Sequence, residues 1–268
     1  MMNVRICRLG CFSHNIDFGK IERWRSKYFK IVGVTTKADI NVDHFRDEYV
    51  YPTETISTDM GQPETGIDLL VAIVDQPLED SFYMHRIDEK RAVVSTFPVW
   101  AFLRETDIPI ENYIARCIYE LIVFLYEGGG KVDDKVYLIP HHETRGCLFD
   151  MNVFIDKIVY SSDKPTICDE CKSRLRKRPL PDNFVKGIER ELSQIQKPLY
   201  YRIERKIKKH PIASLIIAGA FAIALHVIAS FIYDWLKPTL PNSPMPQTGV
   251  TRSTAGTNQP STINGSRR

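Results

Sequence analysis

The sequence lacks a large excess of charge of either sign, a phosphate-binding glycine motif and an internal repeat. Its 36 Lys and Arg residues against 33 Asp and Glu residues give a net charge of +3, too small for a wholly basic nucleic-acid coat. The hydrophobic content of 43% over 268 residues excludes intrinsic disorder as the main state, because such a chain can bury a core. Gly128, Gly129 and Gly130 follow a predicted helix, whereas a phosphate-binding loop precedes one.

Cysteines are also few and unevenly spaced, which does not suit a disulfide framework in a chain of this length. We expect burial or metal binding in a reducing compartment for the six of them: Cys7, Cys11, Cys117, Cys147, Cys168 and Cys171. Near the start of the chain, Arg5 and Arg8 interrupt the apolar residues, so the sequence does not resemble a signal peptide.

One long apolar segment lies near the carboxyl end of the sequence. From Ile212 to Tyr233 there is no Asp, Glu, Lys or Arg, and a helix of this length spans roughly 30 Å of hydrocarbon. We predict a transmembrane helix over residues 211–236 and a disordered tail over residues 237–268, which is rich in Pro, Ser, Thr, Asn and Gly.

The charges that flank this segment predict its orientation. The preceding residues are strongly basic, whereas only Lys237 follows closely, so the amino-terminal part should be cytoplasmic and the short tail outside. We expect the basic side chains to contact anionic lipid headgroups of the bilayer: Arg202, Arg205, Lys206, Lys208 and Lys209.

Within the apolar segment, His226 is either an ionisable functional group or a neutral contact between helices. Ala218 and Ala222 offer a small-residue face through which the helix can form a homo-oligomer. An effector that assembles through its single helix is one alternative function.

Residues 1–180 alternate predicted strands and helices, which favours an α/β domain with a mixed or mostly parallel sheet. Helices are expected over Ile16–Lys27 and, at clear helical spacing, over Glu111–Glu127. The predicted strands are Val4–Leu9, Tyr28–Thr35, Asp68–Asp75, Arg91–Phe97 and Lys135–Pro140.

Residues 181–210 form an amphipathic, basic segment interrupted near Pro198. The pattern fits a helical stalk that leads to the membrane, and it fits equally a helix packed on the domain. The basic run Lys172–Arg178 has no interleaved aromatic residues, so we expect it to attract lipid headgroups, and nucleic acid is not the expected partner.

The most specific local pattern is Cys168-Asp169-Glu170-Cys171, with Cys147 and a His pair upstream. Thiolates and an imidazole in tetrahedral array are the ligands that zinc prefers. We predict a structural Zn²⁺ knuckle within residues 140–175, with Cys147, Cys168 and Cys171 as ligands and His142 or His141 as the fourth. The alternative is a pair of free thiols at the start of a helix.

The same segment partly matches the zinc deaminase signature H-x-E…P-C-x-x-C. In that alternative Glu143 transfers protons at an open zinc site, as in an active zinc-dependent hydrolase or deaminase. However, Pro165 lies three residues before Cys168 instead of beside it, and Cys147 has no role.

The run Gly146–Asn152, the spacer with Asp156 and Lys157, then Cys168, Cys171 and Leu175, resembles the carboxyl-terminal part of archaemetzincin-like metalloproteases. Upstream, two strands and a helix follow in the family's order, so the resemblance extends over about Val4–Leu175. It implies a metzincin-type fold with zinc.

The family's active-site helix carries H-E-x-x-H, in which two His residues hold zinc and the Glu activates water. Here Tyr119-Glu120-Leu121-Ile122-Val123 stands in its place, so both ligands are missing. Glu120 is a weak catalytic candidate, and we expect it to be a carboxylate on the helix surface. The resemblance therefore implies a non-catalytic relative that keeps the structural zinc. We expect the protein to act as a membrane-anchored, cytosol-facing binding or regulatory module for a protein partner.

Overall fold

A computed structural model describes residues 1–40, 44–45, 48–131 and 141–236. The chain divides into two compact units, Met1–Lys206 and Ile207–Arg268. The predicted strand Lys135–Pro140 and the predicted tail 237–268 lie outside the described residues.

A five-stranded sheet lies at the centre of the first unit, in the order β2-β1-β5-β7-β6. Neighbouring strands are parallel except β6, which pairs antiparallel with β7 at one edge. The prediction of an α/β fold with a mostly parallel sheet is confirmed. The strands of this sheet are β1 (Met2–Leu9), β2 (Phe29–Lys37), β5 (Leu69–Val74), β6 (Met84–Arg86) and β7 (Arg91–Ser95), and a separate short pair consists of β3 (His44–Phe45) and β4 (Glu48–Tyr49).

The register between the first two strands contains an irregularity. Val4 pairs with Ile31, but Arg5 pairs with Gly33, so Val32 is an extra residue on β2. An extra residue of this kind bends the strand that carries it and increases its twist.

Helices cover both faces of the sheet. On one face, α2 packs over Tyr51 and Leu78, while the other face carries the larger core built around α4. Two of the three inner strands, β5 and β7, are buried along their whole length, as expected for parallel strands between two helical layers. The helices are α1 (Phe18–Glu22), α2 (Thr53–Met60), α3 (Val99–Glu105), α4 (Ile110–Glu127), α5 (Ile158–Ser162), α6 (Asp169–Leu175), α7 (Phe184–Leu192), α8 (Leu199–Lys209) and α9 (Pro211–Leu236).

The first helix is shorter than the predicted Ile16–Lys27. Asp17 caps α1 by accepting a hydrogen bond from the backbone N–H of Lys20, which fixes the start of the helix. Beyond its end, the Trp24 indole donates to the Tyr119 hydroxyl and the Lys27 backbone N–H donates to Glu191. Bonds to α4 and α7 thus replace the helical bonds that the pattern predicts.

The amphipathic segment 181–210 consists of two helices joined at Pro198. The apolar side of α7 is buried in the larger core through Phe184, Ile188 and Leu192. After Ile195, Lys197 is held at both ends, because its backbone N–H donates to Asp163 at 3.0 Å and its ammonium group donates to the Thr106 carbonyl. α8 therefore begins from a fixed point on the domain.

At the carboxyl ends of β5 and β7, Asp75 joins three segments of chain. Its carboxylate accepts hydrogen bonds from the Ser13 hydroxyl at 2.6 Å, the Ser13 backbone N–H at 2.7 Å and the Thr96 hydroxyl at 2.8 Å. Burial acts to raise the pKa of Asp75, but bonds from His14, Ser13 and Thr96 together lower it to about 2. The ionised carboxylate therefore stabilises this edge of the sheet.

Candidate metal centre

Four side chains of types that can ligate a metal ion come together in the carboxyl-terminal part of the domain, and we call them the metal group. One ligand atom from each of His141, Cys147, Cys168 and Cys171 lies within 4.8 Å of all the others. Sulfur atoms bound to one tetrahedral zinc at 2.3 Å stand about 3.8 Å apart, so the group is of the right size and chemistry for zinc. The described residues thus form a Cys3His group that can hold a metal ion.

Backbone pairing brings the distant cysteines together. Cys147 forms a parallel bridge with Thr166, supported by a bond of 2.7 Å from the Leu148 N–H to the Thr166 carbonyl. Cys168 is the residue directly before α6, and Cys171 lies one turn further along, so both face the same side. The segment around Cys147 and the first turn of α6 therefore deliver three sulfur atoms to one point.

The ring of His141 is oriented by its own backbone neighbourhood. Its Nδ1 lies 2.8 Å from the Glu143 carbonyl and 3.5 Å from a carboxylate oxygen of Asp150. With Nδ1 donating to that carbonyl, Nε2 is left as the free nitrogen, and it lies 3.5 Å from the Cys168 sulfur. Asp150 also accepts the Cys147 N–H at 2.9 Å, so its carboxylate holds the backbone at this ligand.

Two of the thiols shift each other's pKa in opposite directions. A hydrogen bond from Cys171 lowers the pKa of Cys147, and the same bond raises the pKa of Cys171. Arg145 adds positive charge at this place, with its guanidinium 3.8 Å from the Cys168 sulfur and 3.1 Å from Glu170. A site with three thiolates and a divalent ion carries one net negative charge, and the guanidinium lies beside it while also paired with Glu143 and Glu170.

Behind the metal group, α4 contributes a buried ion pair. The Arg116 guanidinium lies 2.7 Å from the Glu120 carboxylate and donates to the carbonyls of Leu148 at 2.6 Å and Asp150 at 3.2 Å. The expectation that Glu120 lies on the helix surface is wrong, since its side chain is 5% exposed. Burial raises the pKa of Glu120 to about 7, and Arg116 opposes that rise.

The positions that align with H-E-x-x-H are occupied by core residues. The Tyr119 hydroxyl is buried and donates to Glu191 at 2.8 Å, and Val123 is fully buried. Neither side chain belongs to the group of metal-binding residues.

The other sequence candidates lie outside the metal group. His142 is exposed, and the carboxylate of Glu143 is in solvent, paired with Arg145. The structure adds Arg116 and Asp150 as residues that support the site. Sequence reasoning missed both, and the sole signal for Arg116 was its spacing of four from Glu120 on a helix.

A shallow cleft of about 590 Å³ adjoins the metal group. Its rim includes Lys164, Arg145, which is paired with Glu143 and Glu170, and Lys157, which is paired with Asp156. Phe154 and Tyr160, which come from the same part of the chain, are largely exposed.

The residues predicted to contact the membrane lie on α8, which precedes an apolar helix. Within α9, the 23-residue span Pro211–Tyr233 is long and apolar enough to cross a bilayer. His226, Ala218 and Ala222 all lie on this helix.

No family model matches the chain, and no curated protein matches it either. Two solved structures are similar to it. Both are archaemetzincins. The crystal structure from Methanopyrus kandleri has 15% identity and a TM-score of 0.42, covering 66% of this chain and 94% of that one. The structure from Archaeoglobus fulgidus, complexed with malonate, has 16% identity and a TM-score of 0.41, covering 65% of this chain and 99% of that one.

Proposed function

We propose that this protein is a membrane-anchored, cytosol-facing binding module whose α/β domain is stabilised by a structural zinc ion and performs no metal-dependent catalysis. The observation that carries the proposal is the closed Cys3His group. Four protein ligands complete a tetrahedral site, whereas a catalytic zinc keeps one position for water.

The contacts of α4 support a non-catalytic role. The Tyr119 hydroxyl is hydrogen-bonded to Trp24 and Glu191. Glu120 is paired with Arg116 beneath residues 141–150, the metal loop, which carry two of the four candidate ligands. A carboxylate that activates water needs a neighbouring metal-bound or substrate-bound water, whereas the Glu120 carboxylate is buried against the Arg116 guanidinium.

The surface beside the metal group suits a binding role. Exposed Phe154 and Tyr160 beside the cleft offer apolar contact area to a protein partner. In this proposal zinc fixes the loops that form this surface, and the protein partner binds there.

Membrane anchoring through α9 and a cytosolic domain complete the proposal. They are supported by the apolar length of Pro211–Tyr233 and by the basic residues before it. The orientation is tested in intact cells with epitope tags at each end of the full chain. We expect antibody to reach the carboxyl-terminal tag without permeabilisation and the amino-terminal tag only after it, and the reverse pattern would refute the orientation.

The metal proposal is tested by metal analysis and X-ray absorption on the purified full chain. We expect one zinc ion with three sulfur neighbours and one nitrogen neighbour. His141→Ala should weaken zinc retention against a chelator, and His142→Ala, its exposed neighbour, is the matched control and should not. Absence of zinc would refute the proposal, and two sulfurs with a water-like ligand would favour the hydrolase alternative that uses Glu143.

A further inference from the structure

The helix α8 exposes large apolar side chains along one side. Leu199, Tyr200, Ile203 and Ile207 are 64%, 70%, 47% and 48% exposed. The spacing of four between Leu199, Ile203 and Ile207 places them on one face, and Tyr200 borders Ile207, so together they cover about 100° of the helix circumference. A helix of a soluble domain normally turns such a face toward the core.

Nearly all other positions of α8 are charged. The five cations Arg202, Arg205, Lys206, Lys208 and Lys209 against Glu204 give the helix a net charge of +4. A narrow apolar face beside a strongly basic remainder is typical of helices that lie in the plane of a membrane interface. A membrane-spanning helix, by contrast, is apolar around its whole circumference, as α9 is.

Two other partners for this face are disfavoured by the structure. Within the first unit, the apolar side of α7 is buried, whereas Leu199, Tyr200 and Ile203 of α8 are exposed. A second copy of the chain would need a heptad seam sustained over several heptads to form a coiled coil, and α8 has only 11 residues.

The position of α8 along the chain favours a bilayer as the partner of its apolar face. α8 begins directly after the segment fixed by Lys197, and only His210 separates it from the apolar helix α9. A helix between a folded domain and a membrane anchor is thus held close to headgroups, and its positive charge complements anionic lipid.

We propose that α8 is an interfacial helix, with Leu199, Tyr200, Ile203 and Ile207 inserted at the boundary between the headgroups and acyl chains of an anionic bilayer. Its cations contact lipid phosphates. This inference rests on the proposed anchoring by α9, and it differs from a stalk that stands in water, because α8 itself then lies in the membrane interface.

The test uses the full chain in nanodiscs of mixed phosphatidylglycerol and phosphatidylcholine. A diazirine-bearing amino acid replaces Ile203 in one variant, Tyr201 on the opposite side of the helix in a second and Ile223 within α9 in a third. After illumination, lipid adducts are measured by mass spectrometry. We expect adducts at 203 and 223 in several-fold excess over 201, and fewer at 203 in nanodiscs of phosphatidylcholine alone.

Three results would overturn the inference. Equal, low adduct at 203 and 201, with strong adduct at 223, would mean that α8 stands outside the bilayer while the anchor remains. Crosslinks from 203 to a second copy of the chain would assign the apolar face to a protein contact. Lack of adduct at 223 as well would remove the anchor, and the interfacial assignment with it.

Discussion

Replacing Arg116 by Met should destabilise the domain more than a typical single substitution. Arg116 is fully buried, and its guanidinium binds the Glu120 carboxylate, the Tyr83 hydroxyl and two carbonyl groups of the metal loop. Met fills similar space but donates no hydrogen bond. The Arg116→Met variant therefore leaves the buried Glu120 carboxylate and the Leu148 carbonyl without this donor, while the Asp150 carbonyl keeps its bonds from Tyr83 and Asn152.

The magnitude follows from the burial of the pair. Removing one partner of a buried ion pair costs about 3–5 kcal/mol. The loss is limited because burial already raises the pKa of Glu120, so this carboxyl can take up a proton once the opposing charge of Arg116 is gone. We expect a decrease of about 4 kcal/mol in the free energy of unfolding, a large part of the total for a domain.

The assay is guanidinium unfolding of the full chain in detergent, followed by tryptophan fluorescence. Arg104→Met, on the exposed side of α3, is the matched control and should change stability by less than about 0.5 kcal/mol. The double variant Arg116→Met/Glu120→Leu should recover more than about 1 kcal/mol of the loss, because no charge is then left unpaired. A single variant within about 1 kcal/mol of the wild type, or a double variant less stable than the single one, would refute the reasoning.

Two further predictions concern the core. Asp75→Asn should cost about 2 kcal/mol at pH 7, since the lowered pKa of Asp75 stabilises the fold above about pH 4, and the difference from wild type should shrink as the pH falls toward 2. Unfolding curves across this range check it, and a pH-independent difference would contradict it. Gly187→Ala should destabilise the domain by about 1–3 kcal/mol, because its Cβ would lie 1.7 Å from the Tyr28 hydroxyl. Thermal unfolding should show partial recovery on adding Tyr28→Phe, and no recovery would assign the cost to the backbone instead.

The strands of the sheet could be predicted because their sequences are runs of β-branched and apolar residues. β5 and β7 follow this pattern, and their observed bounds differ from the predicted ones by no more than two residues. The edge strand β6 (Met84–Arg86) was missed, since three residues with a polar centre carry no detectable periodicity.

The cysteines of the metal group could be predicted from spacing, but the choice between two adjacent histidines could not. It depends on backbone pairing, because the His141 N–H and carbonyl bond to Phe149 and Met151. Neighbouring side chains of an extended segment face opposite sides, so His142 turns to solvent when His141 faces the cysteines. The periodicity of the sequence does not show which of the two histidines forms these backbone hydrogen bonds.

Glu120 was misplaced for a related reason. A charged residue four positions from Arg116 is typical of the exposed side of a helix. In this fold the sheet lies on one side of α4 and the metal loop and α7 lie against the rest, so nearly its whole length is buried. The burial of a helix by segments distant in the sequence cannot be predicted from the sequence of that helix alone.

The extra residue Val32 on β2 has a consequence for solubility. Confinement to a bilayer raises the local concentration of a protein, which favours association between exposed sheet edges. One edge of this sheet is the bulged strand β2 with Lys30 and Lys37, and the other is the three-residue β6. Within the part of the chain that the structure describes, neither edge offers a long, flat template, which disfavours edge-to-edge pairing between copies of the domain.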